Sequence, residues 1–188
     1  MNTQAMSNSF QISLTTEIAL LGFPRKQPLH GYEIYRRLNE TPELRAVWRM
    51  KQGRLYALLA RLEEEGLLHA THEPQDNRPP RKVFHLTSTG ENVFSQWLIE
   101  PVKLPREMRL DFMLKLYFAM WEEPSIITEL LRRQQMVCAD WLASQQKKDV
   151  AGSTYLAFVR RYRYGHIESI QNWLMMLANE FAGHQTPQ

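Results

Sequence analysis

The chain has 188 residues, 44% of them hydrophobic, with a single cysteine and a formal net charge of +3. This length is sufficient for one large hydrophobic core or two small ones, and a lone cysteine excludes an intramolecular disulfide and a cysteine-rich metal site. Because no apolar run approaches the roughly 20 residues of a membrane-spanning helix and residues 1–11 lack the pattern of a signal peptide, we expect a cytoplasmic protein without membrane contact.

The positive charge is concentrated in the first half of the chain. Residues 1–90 contain 12 lysines and arginines against 9 acidic residues, whereas residues 91–188 contain 11 of each. Two windows, residues 44–62 and 77–90, contain five and three basic residues and no acid. Such patches suit a polyanionic partner, although two solvated surfaces would give the same count.

The first two helices are predicted from apolar periodicity and from the residues that end them. Apolar residues at helical spacing predict a helix over residues 14–23, which a proline closes. A second helix is predicted over residues 30–38, where Ile34 and Leu38 lie one turn apart beneath two exposed arginines. It ends at Thr41, because a residue that precedes a proline disfavours helical backbone angles.

A third helix, predicted over residues 53–66, has the polarity of a DNA-recognition helix. Leucines at positions 55, 58, 59 and 62 form one buried stripe. The acidic residues are confined to the last turn, before Gly66, which keeps them away from phosphates while the N-terminal turn meets base edges in the major groove. The opposite face presents small residues and arginines, namely Gly53, Arg54, Ala57 and Arg61.

Two short extended segments predict a β-hairpin wing. Residues 68–72 and 82–86 are predicted as strands, and a basic connection rich in turn-forming residues lies between them, so that the wing proper covers residues 73–82. Its basic residues are expected to reach the DNA backbone or the minor groove. The residues from Thr87 onward then cap a further helix over residues 92–99.

The second half of the chain is predicted to be helical. After a linker over residues 101–105, the pattern predicts helices over residues 109–121, 124–148 and 153–181, with a break at residues 149–152. The last helix would be roughly 40 Å long, and a small domain cannot cover so long an apolar seam from within. We therefore predict that part of the seam packs against a second copy of the chain. The seam residues are Leu156, Val159, Ile167, Ile170, Trp173, Leu174 and Leu177.

These elements predict a mainly α fold with a small β-hairpin. Residues 1–100 are expected to form a winged helix-turn-helix domain, and residues 101–188 an antiparallel or coiled-coil-like helical dimerisation domain. A homodimer on double-stranded DNA is expected, because one winged helix contacts too few base pairs to find a site in a genome. Such a protein would be associated with the nucleoid.

Four ordered motifs in the first half carry a resemblance to a known family. They are Leu14-Thr15-Thr16-Glu17, His30-Gly31-Tyr32-Glu33-Ile34, the stretch from Gly53-Arg54-Leu55-Tyr56-Ala57 to Glu65-Gly66-Leu67, and Arg81-Lys82-Val83-Phe84-His85-Leu86-Thr87-Ser88-Thr89-Gly90. Together they resemble the PadR family of transcriptional regulators. The second half, opened by residues 109–116, resembles the longer C-terminal domain of the virulence-activator-type branch.

The resemblance implies a dimer that binds a pseudo-palindromic operator, usually repressing and in some members activating. It also implies a position near the phosphate backbone for Tyr32. The family often has Ile-Tyr-Pro where this chain has Leu55-Tyr56-Ala57, so a base preference does not carry over.

The predicted DNA contacts come from the second helix, the third helix and the wing. Arg54 is expected to meet a base edge, and Gln52 either reads an adenine or caps the helix. The wing residues are expected to contact DNA largely independently of sequence. The full set is Tyr32, Lys51, Gln52, Gly53, Arg54, Tyr56, Ala57, Arg61, Arg78, Arg81 and Lys82.

Two other classes of function fit the sequence less well. An enzyme would be expected to show a catalytic motif, but the chain has no glycine-rich phosphate loop, no Gly-x-Ser-x-Gly elbow and no His-Glu-x-x-His pair. No metal site is expected, since His69 and His72 would point to opposite faces of a strand, and Cys138 is interpreted as a small buried group rather than a nucleophile. A protein-interaction module would more often expose aromatic residues or methionine on the third helix.

Five tryptophans, at positions 48, 97, 121, 141 and 173, are candidates for lining a pocket at the dimer interface. Such a pocket would take a small aromatic or hydrophobic effector. Tryptophans at helical spacing serve equally well as core residues. No cofactor is expected.

Overall fold

A computed structural model of the protein describes residues 16–75, 78–146 and 153–183, and the side chains in these ranges other than those of residues 75, 78–80 and 146. Within these ranges the chain forms seven α-helices from residue 31 onward, a helical segment at residues 16–18, two 3-10 helices and one three-stranded antiparallel sheet. The predicted mainly α fold with a small β-wing is confirmed. The elements are β1 (Leu29–His30), α1 (Gly31–Glu40), α2 (Pro42–Val47), α3 (Gln52–Glu64), β2 (Leu68–Gln75), β3 (Arg78–Leu86), α4 (Ser88–Ile99), α5 (Asp111–Ala119), α6 (Pro124–Gln146) and α7 (Thr154–Gly183), with 3-10 helices at Ala19–Gly22 and Pro105–Arg109.

The chain divides into two compact units, and each unit is built from two separate stretches of the sequence. The first unit contains the residues up to Leu98 together with Arg109–Phe118, and the second contains Ile99–Met108 together with the residues from Ala119 onward. A boundary at residue 100, as predicted, would separate α5 from the unit in which it packs. Within the described residues, no helix has a stretch long and apolar enough to cross a bilayer.

The first two predicted helices are present, and a short helix between the second and third was missed. Residues 16–18 are helical and continue into the 3-10 helix, whereas residues 14 and 15 lie outside the described residues. In α1, which buries Ile34 and Leu38, the Glu33 carboxylate accepts the backbone N–H of His30 at 2.9 Å. The missed helix, α2, has Pro42 in its first turn, where the absent N–H leaves no bond unmade.

The turn after α3 is locked to the start of α4. Gly66 has a φ of 71°, and the N–H of Leu67 bonds the carbonyl of Leu62 at 2.9 Å, so the predicted stop at Gly66 is confirmed as a left-handed helix cap. The Thr87 hydroxyl donates to the Gly66 carbonyl at 2.8 Å and accepts the N–H of Gly90 at 3.0 Å. A side chain at Gly90 would meet the carbonyl oxygen of Leu67. The end of α3 and the start of α4 are therefore held by hydrogen bonds and by a close backbone approach.

The wing is longer than predicted and belongs to a sheet of order β1-β3-β2. The segment expected to be a loop continues the ladder instead, with Glu73 opposite Arg81, while residues 76–77 lie outside the described residues. The prolines that suggested a loop are tolerated because β1 pairs with β3 only at Val83 and Phe84, so the proline-containing part of β3 has no third strand beside it. The two-residue strand β1 was missed, since two residues show no periodicity.

Helix α5 packs against the first unit through aromatic rings. The Phe118 ring makes edge-to-face contacts with Phe23 and Phe94, at centroid distances of 5.6 and 5.5 Å. It also lies over Gly22, where an added Cβ would come within 2.5–2.9 Å of three ring atoms. The absence of a side chain at Gly22 therefore allows α5 to approach.

A buried lysine reinforces this packing. Lys115 is 2% exposed, and its Nζ donates to the carbonyl of Trp97 and lies 4.2 Å from the centre of the Trp97 ring. Burial of an ammonium group is costly unless it is hydrogen-bonded. These contacts supply that compensation and join α5 to α4.

The second unit is built on the pair α6 and α7. Only seven residues separate the two helices, so they pack as antiparallel neighbours, as predicted; the expected break at residues 149–152 lies outside the described residues. The side chain of Gln134, fully buried, bonds both the N–H and the carbonyl of Val102, at 2.8 and 3.3 Å. This bond ties the linker to α6. The buried apolar residues of the pair are Ile127, Leu130, Leu131, Cys138, Ile167, Ile170 and Leu174.

Candidate nucleic-acid interface

The first turns of α3 form an exposed surface of small and polar side chains. Lys51 is the N-cap residue, and Gln52, Gly53, Arg54 and Ala57 are all exposed. Nothing lies within 4 Å of a Cβ added at Gly53. The opposite side of the helix is anchored by fully buried leucines, so this turn is held rigidly while its outer face stays open. The positive end of the helix dipole adds to the attraction for anions.

A groove of about 600 Å³ lies beside this surface, between the start of α1, α3 and strand β3. Its walls carry two tyrosines and three permanently basic side chains. We call it the α1–wing groove. Its lining residues are His30, Gly31, Tyr32, Glu33, Arg36, Tyr56, Arg81 and Lys82.

Tyr56 joins the helix and the groove. A Cβ added at Gly31 would come within 2.7 Å of the Tyr56 ring and 3.3 Å of Phe84. The glycine in the His30-Gly31-Tyr32 motif therefore allows α3 to pack close to the start of α1. Tyr32 itself projects outward and is exposed.

The acidic groups at the groove have partners within the chain. The Glu33 carboxylate accepts the backbone N–H of His30 at 2.9 Å, and the Glu73 carboxylate lies 3.5 Å from Nε2 of the His30 imidazole. Arg36 makes only a 4.0 Å contact with Glu40 at its exposed helix surface. The groove therefore presents Arg36 and Arg81 to an incoming anion more openly than it presents its carboxylates.

Two of the predicted DNA contacts are engaged in ion pairs. Arg61 lies 3.3 Å from the buried carboxylate of Glu17 and 2.9 Å from Glu65. Lys82 lies 2.9 Å from Glu63, at the acidic end of α3. A contact between either residue and DNA stays a prediction, and the pairs argue against it because binding would have to break them.

The structure places the remaining predicted contacts in two neighbouring groups. Lys51, Gln52, Gly53, Arg54 and Ala57 form the start of α3, and Tyr32, Tyr56 and Arg81 line the groove beside the ion-paired Lys82. The backbone of Arg78 is part of β3, but its side chain is outside the described ones. Arg36 was not predicted as a contact. Its signal was present in the sequence, since it follows Tyr32 by one helical turn.

The predicted dimer seam is only partly available to a second copy. Ile167, Ile170 and Leu174 are buried within the chain. The seam was expected to be too long for one domain to cover, but α6 covers its central part. Leu156 is exposed, and the other three seam residues, Val159, Trp173 and Leu177, are half-buried.

The part of α7 that remains uncovered extends past the end of α6. The Gln135 amide bonds the carbonyl of Leu174 at 3.3 Å, which sets the register of the antiparallel pair. Helix α6 ends at Gln146, eleven residues after Gln135. In an antiparallel pair its last residue therefore lies beside about residue 163 of α7. The first turns of α7 extend roughly 13 Å beyond that point. This overhang exposes Tyr155 (71%), Phe158 (66%) and Tyr162 (73%).

The tryptophans do not gather in the groove. Trp48 and Trp97 are buried in the first unit, and Trp141 donates its indole N–H to the carbonyl of Lys103 at 3.0 Å in the second. Trp121 is exposed. An aromatic effector pocket at a dimer interface stays a prediction.

The lone cysteine is buried, as predicted. Burial raises the pKa of the Cys138 thiol to about 11, even though a hydrogen bond from Gln134 acts in the opposite direction. A thiol in that state is a poor nucleophile at neutral pH.

Comparison with known proteins identifies the family. Residues 20–96 match the profile of the transcriptional regulator PadR-like family. Over 133 residues the chain is 30% identical to the negative transcriptional regulator PadR of Bacillus subtilis, an alignment that covers 69% of this chain and 72% of that protein. The chain belongs to the PadR family. The predicted resemblance is confirmed, and since this is a family of transcriptional regulators, so is the prediction that the chain is not an enzyme.

Other relatives are more distant. The chain is 27% identical over 84 residues to the probable transcriptional regulator Rv1176c of Mycobacterium tuberculosis, covering 45% of this chain and 43% of that one. Among solved structures, Bacillus subtilis PadR in complex with operator DNA aligns at 24% identity with a TM-score of 0.45, covering 88% of this chain and 98% of that one. A PadR-like transcription factor from Bacteroides fragilis aligns at 26% identity with a TM-score of 0.39, covering 51% and 84%.

Proposed function

We propose that this PadR-family regulator binds a specific operator in double-stranded DNA, with the N-terminal turn of α3 in the major groove. The observation that carries the proposal is the outer face of that turn, where Gln52, Gly53, Arg54 and Ala57 are exposed and space above Gly53 is open. Small residues allow base edges to come close, and an arginine among them can bond a guanine. The relative in Bacillus subtilis is named a negative transcriptional regulator.

The α1–wing groove is assigned to the sugar–phosphate backbone. Arg36 and Arg81 come from different elements but line the same groove, and Tyr32 lines it with them. Contacts of this kind fix the register of a protein on DNA without reading its sequence. Arg61 and Lys82 are assigned instead to holding α3 and the wing in place, through Glu17 and Glu63.

The test begins with duplexes selected from a random pool by the purified protein. Arg54→Ala should weaken binding to the selected operator by about 1–3 kcal/mol and bind random duplex almost unchanged. Arg36→Ala and Arg81→Ala should weaken binding to all sequences and lower the salt slope by about one. Arg106→Ala, an exposed arginine of the second unit, is the matched control and should behave as wild type.

Two outcomes would contradict the assignment. If Arg54→Ala weakened binding equally on all sequences, Arg54 would be a phosphate contact. If selection recovered no common sequence, or Arg106→Ala matched the effect of Arg81→Ala, the interface would lie elsewhere.

We also propose that the chain acts as a homodimer joined through the overhang of α7, on a pseudo-palindromic operator. Three exposed rings, those of Tyr155, Phe158 and Tyr162, lie on one side of the overhang, because positions three and seven residues apart share a helix face. A buried side chain of this size contributes roughly 1.5–3 kcal/mol. The exposed Leu156 and the half-buried Val159, both seam residues, lie on the same turns and extend the surface.

Phe158→Asp tests the interface by sedimentation and operator binding. It should give a monomer that still folds, with weak non-specific DNA binding and no tight operator binding. Met136→Asp, at an exposed apolar position of α6, should remain dimeric. A Phe158→Asp variant that stayed dimeric at micromolar concentration would remove the overhang from the interface.

The remaining predictions concern the setting of the protein. Binding to the operator would place it in the cytoplasm on the nucleoid. A small aromatic or hydrophobic effector stays a prediction, as does the choice between repression and activation.

A further inference from the structure

Two histidines face each other across the base of the wing. The ladder places His69 directly opposite His85, and their ring centres are 6.1 Å apart with the planes inclined by 40°. His69 is exposed and His85 half-buried. Residues directly opposite one another in an antiparallel pair project from the same face of the sheet, so both imidazoles are open to the same region of solvent.

This pairing differs from the one that sequence reasoning considered. His69 and His72 were expected to lie on opposite faces, and the register confirms it, because His72 is opposite Lys82. The partner of His69 is instead a histidine sixteen positions further along the chain. Only the pairing of β2 with β3 brings the two imidazoles together.

We propose that His69 and His85 form a binding site for one divalent transition-metal ion such as Zn²⁺. Imidazole nitrogen suits zinc, copper and nickel, whereas magnesium and calcium prefer oxygen ligands. An ion bonded to both rings at about 2.0–2.1 Å would bring the ring centres to roughly 5 Å. The observed 6.1 Å needs only a small rotation of two side chains at the sheet surface to reach that distance.

A threonine on the same face is placed to orient one ligand. Thr71 Oγ1 lies 2.9 Å from Nε2 of His85. When Nε2 carries the proton and donates it to Thr71, Nδ1 of His85 keeps its lone pair for the ion. A hydrogen bond of this kind fixes the tautomer and the ring orientation of metal-binding histidines.

Two protein ligands leave the other positions of the ion to water. Among the described residues, no group of three or more histidine, cysteine, aspartate or glutamate side chains is close enough to hold a metal. A bound ion would therefore keep water ligands and could exchange with ions in solution. Since it joins β2 to β3, a bound ion would cross-link the two strands of the wing. The inference rests on the sheet register and is independent of DNA binding.

Calorimetric titration of the 188-residue chain, without an affinity tag, with ZnCl₂ at pH 7.5 tests the site. One ion per chain should bind, and MgCl₂ should give no binding. His69→Ala and His85→Ala should each weaken zinc affinity by tenfold or more, and Thr71→Val by about tenfold. His72→Ala is the matched control, on the opposite face of the same strand, and should bind zinc as wild type. Circular dichroism would establish that each variant is folded.

Zinc binding should weaken as the pH is lowered, because protons compete with the ion for imidazole nitrogen. Imidazole proton signals of His69 and His85 should shift or broaden on addition of zinc, and those of His72 should not. The proposal is overturned if zinc binding does not saturate, or if folded His69→Ala and His85→Ala variants bind zinc as wild type does. Equal loss in His72→Ala would likewise overturn it.

Discussion

Replacing Gly22 with alanine should destabilise the first unit, and the loss should depend on Phe118. The new Cβ would lie 2.5–2.9 Å from three atoms of the Phe118 ring. The ring has little room to move, because it is 7% exposed and makes edge-to-face contacts with Phe23 and Phe94 at 5.6 and 5.5 Å. The substitution therefore forces either the ring or the backbone of α5 to shift.

The expected magnitude comes from two opposing effects. Overpacking of a well-filled core costs about 1–3 kcal/mol, while alanine in place of glycine recovers about 0.4–1 kcal/mol by restricting the unfolded chain. Phe118→Ala by itself should cost about 3–5 kcal/mol. In that background the clash is gone, so Gly22→Ala should become neutral or stabilising by about 0.4–1 kcal/mol. The change of sign is the diagnostic result.

Native-state hydrogen exchange followed by mass spectrometry suits the measurement, because it reports the stability of α3 and α4 separately from that of the second unit. The four proteins of the double-mutant cycle are compared at the same pH and temperature. A Gly22→Ala cost that is the same with and without Phe118 would refute the reasoning, since it would show that the ring does not lie over Gly22.

Two further predictions address the same unit. The Arg25 guanidinium, hydrogen-bonded to Glu91 at 2.8 Å, holds the pKa of that carboxyl below its ordinary value of 4.5. The stability that this ion pair contributes is therefore present above pH 4.5 and is lost as the pH falls through the lowered pKa. In Arg25→Gln, the temperature of thermal unfolding should depend less steeply on pH below 4.5. An unchanged pH dependence there would show that the pair does not contribute to stability. A fragment of residues 1–100 lacks the buried Phe112, Leu114 and Phe118, whose burial contributes roughly 1.5–3 kcal/mol each. It should therefore unfold at a lower urea concentration than a fragment of residues 1–119. Equal unfolding midpoints would show that the first unit is stable without α5.

Features that depend on neighbours along the chain were predictable from the sequence. The stripe of leucines in α3 and the glycine that follows it predicted both the span and the end of the helix, and the structure has Gly66 in the left-handed conformation. The span of α7, predicted as residues 153–181, is observed as Thr154–Gly183. Periodicity and capping report the conformation of one segment, because they act over a single turn or a few turns.

The short helix α2 marks the lower limit of that reasoning. Six residues make fewer than two turns, so they present too few repeats for a period to be recognised. Its opening proline was interpreted only as the end of α1.

Features that depend on contacts between distant segments were decided by the tertiary structure alone. The sequence predicted the apolar seam of α7, but only the register with α6 determines that Ile170 is covered and that Phe158 is not. It predicted a positive recognition helix, but only packing pairs Arg61 with Glu17. It contained His69 and His85, but only the wing ladder sets them opposite each other. The physical reason is the same in each case, since periodicity specifies which face of an element is apolar, whereas the packing of other elements decides what that face meets.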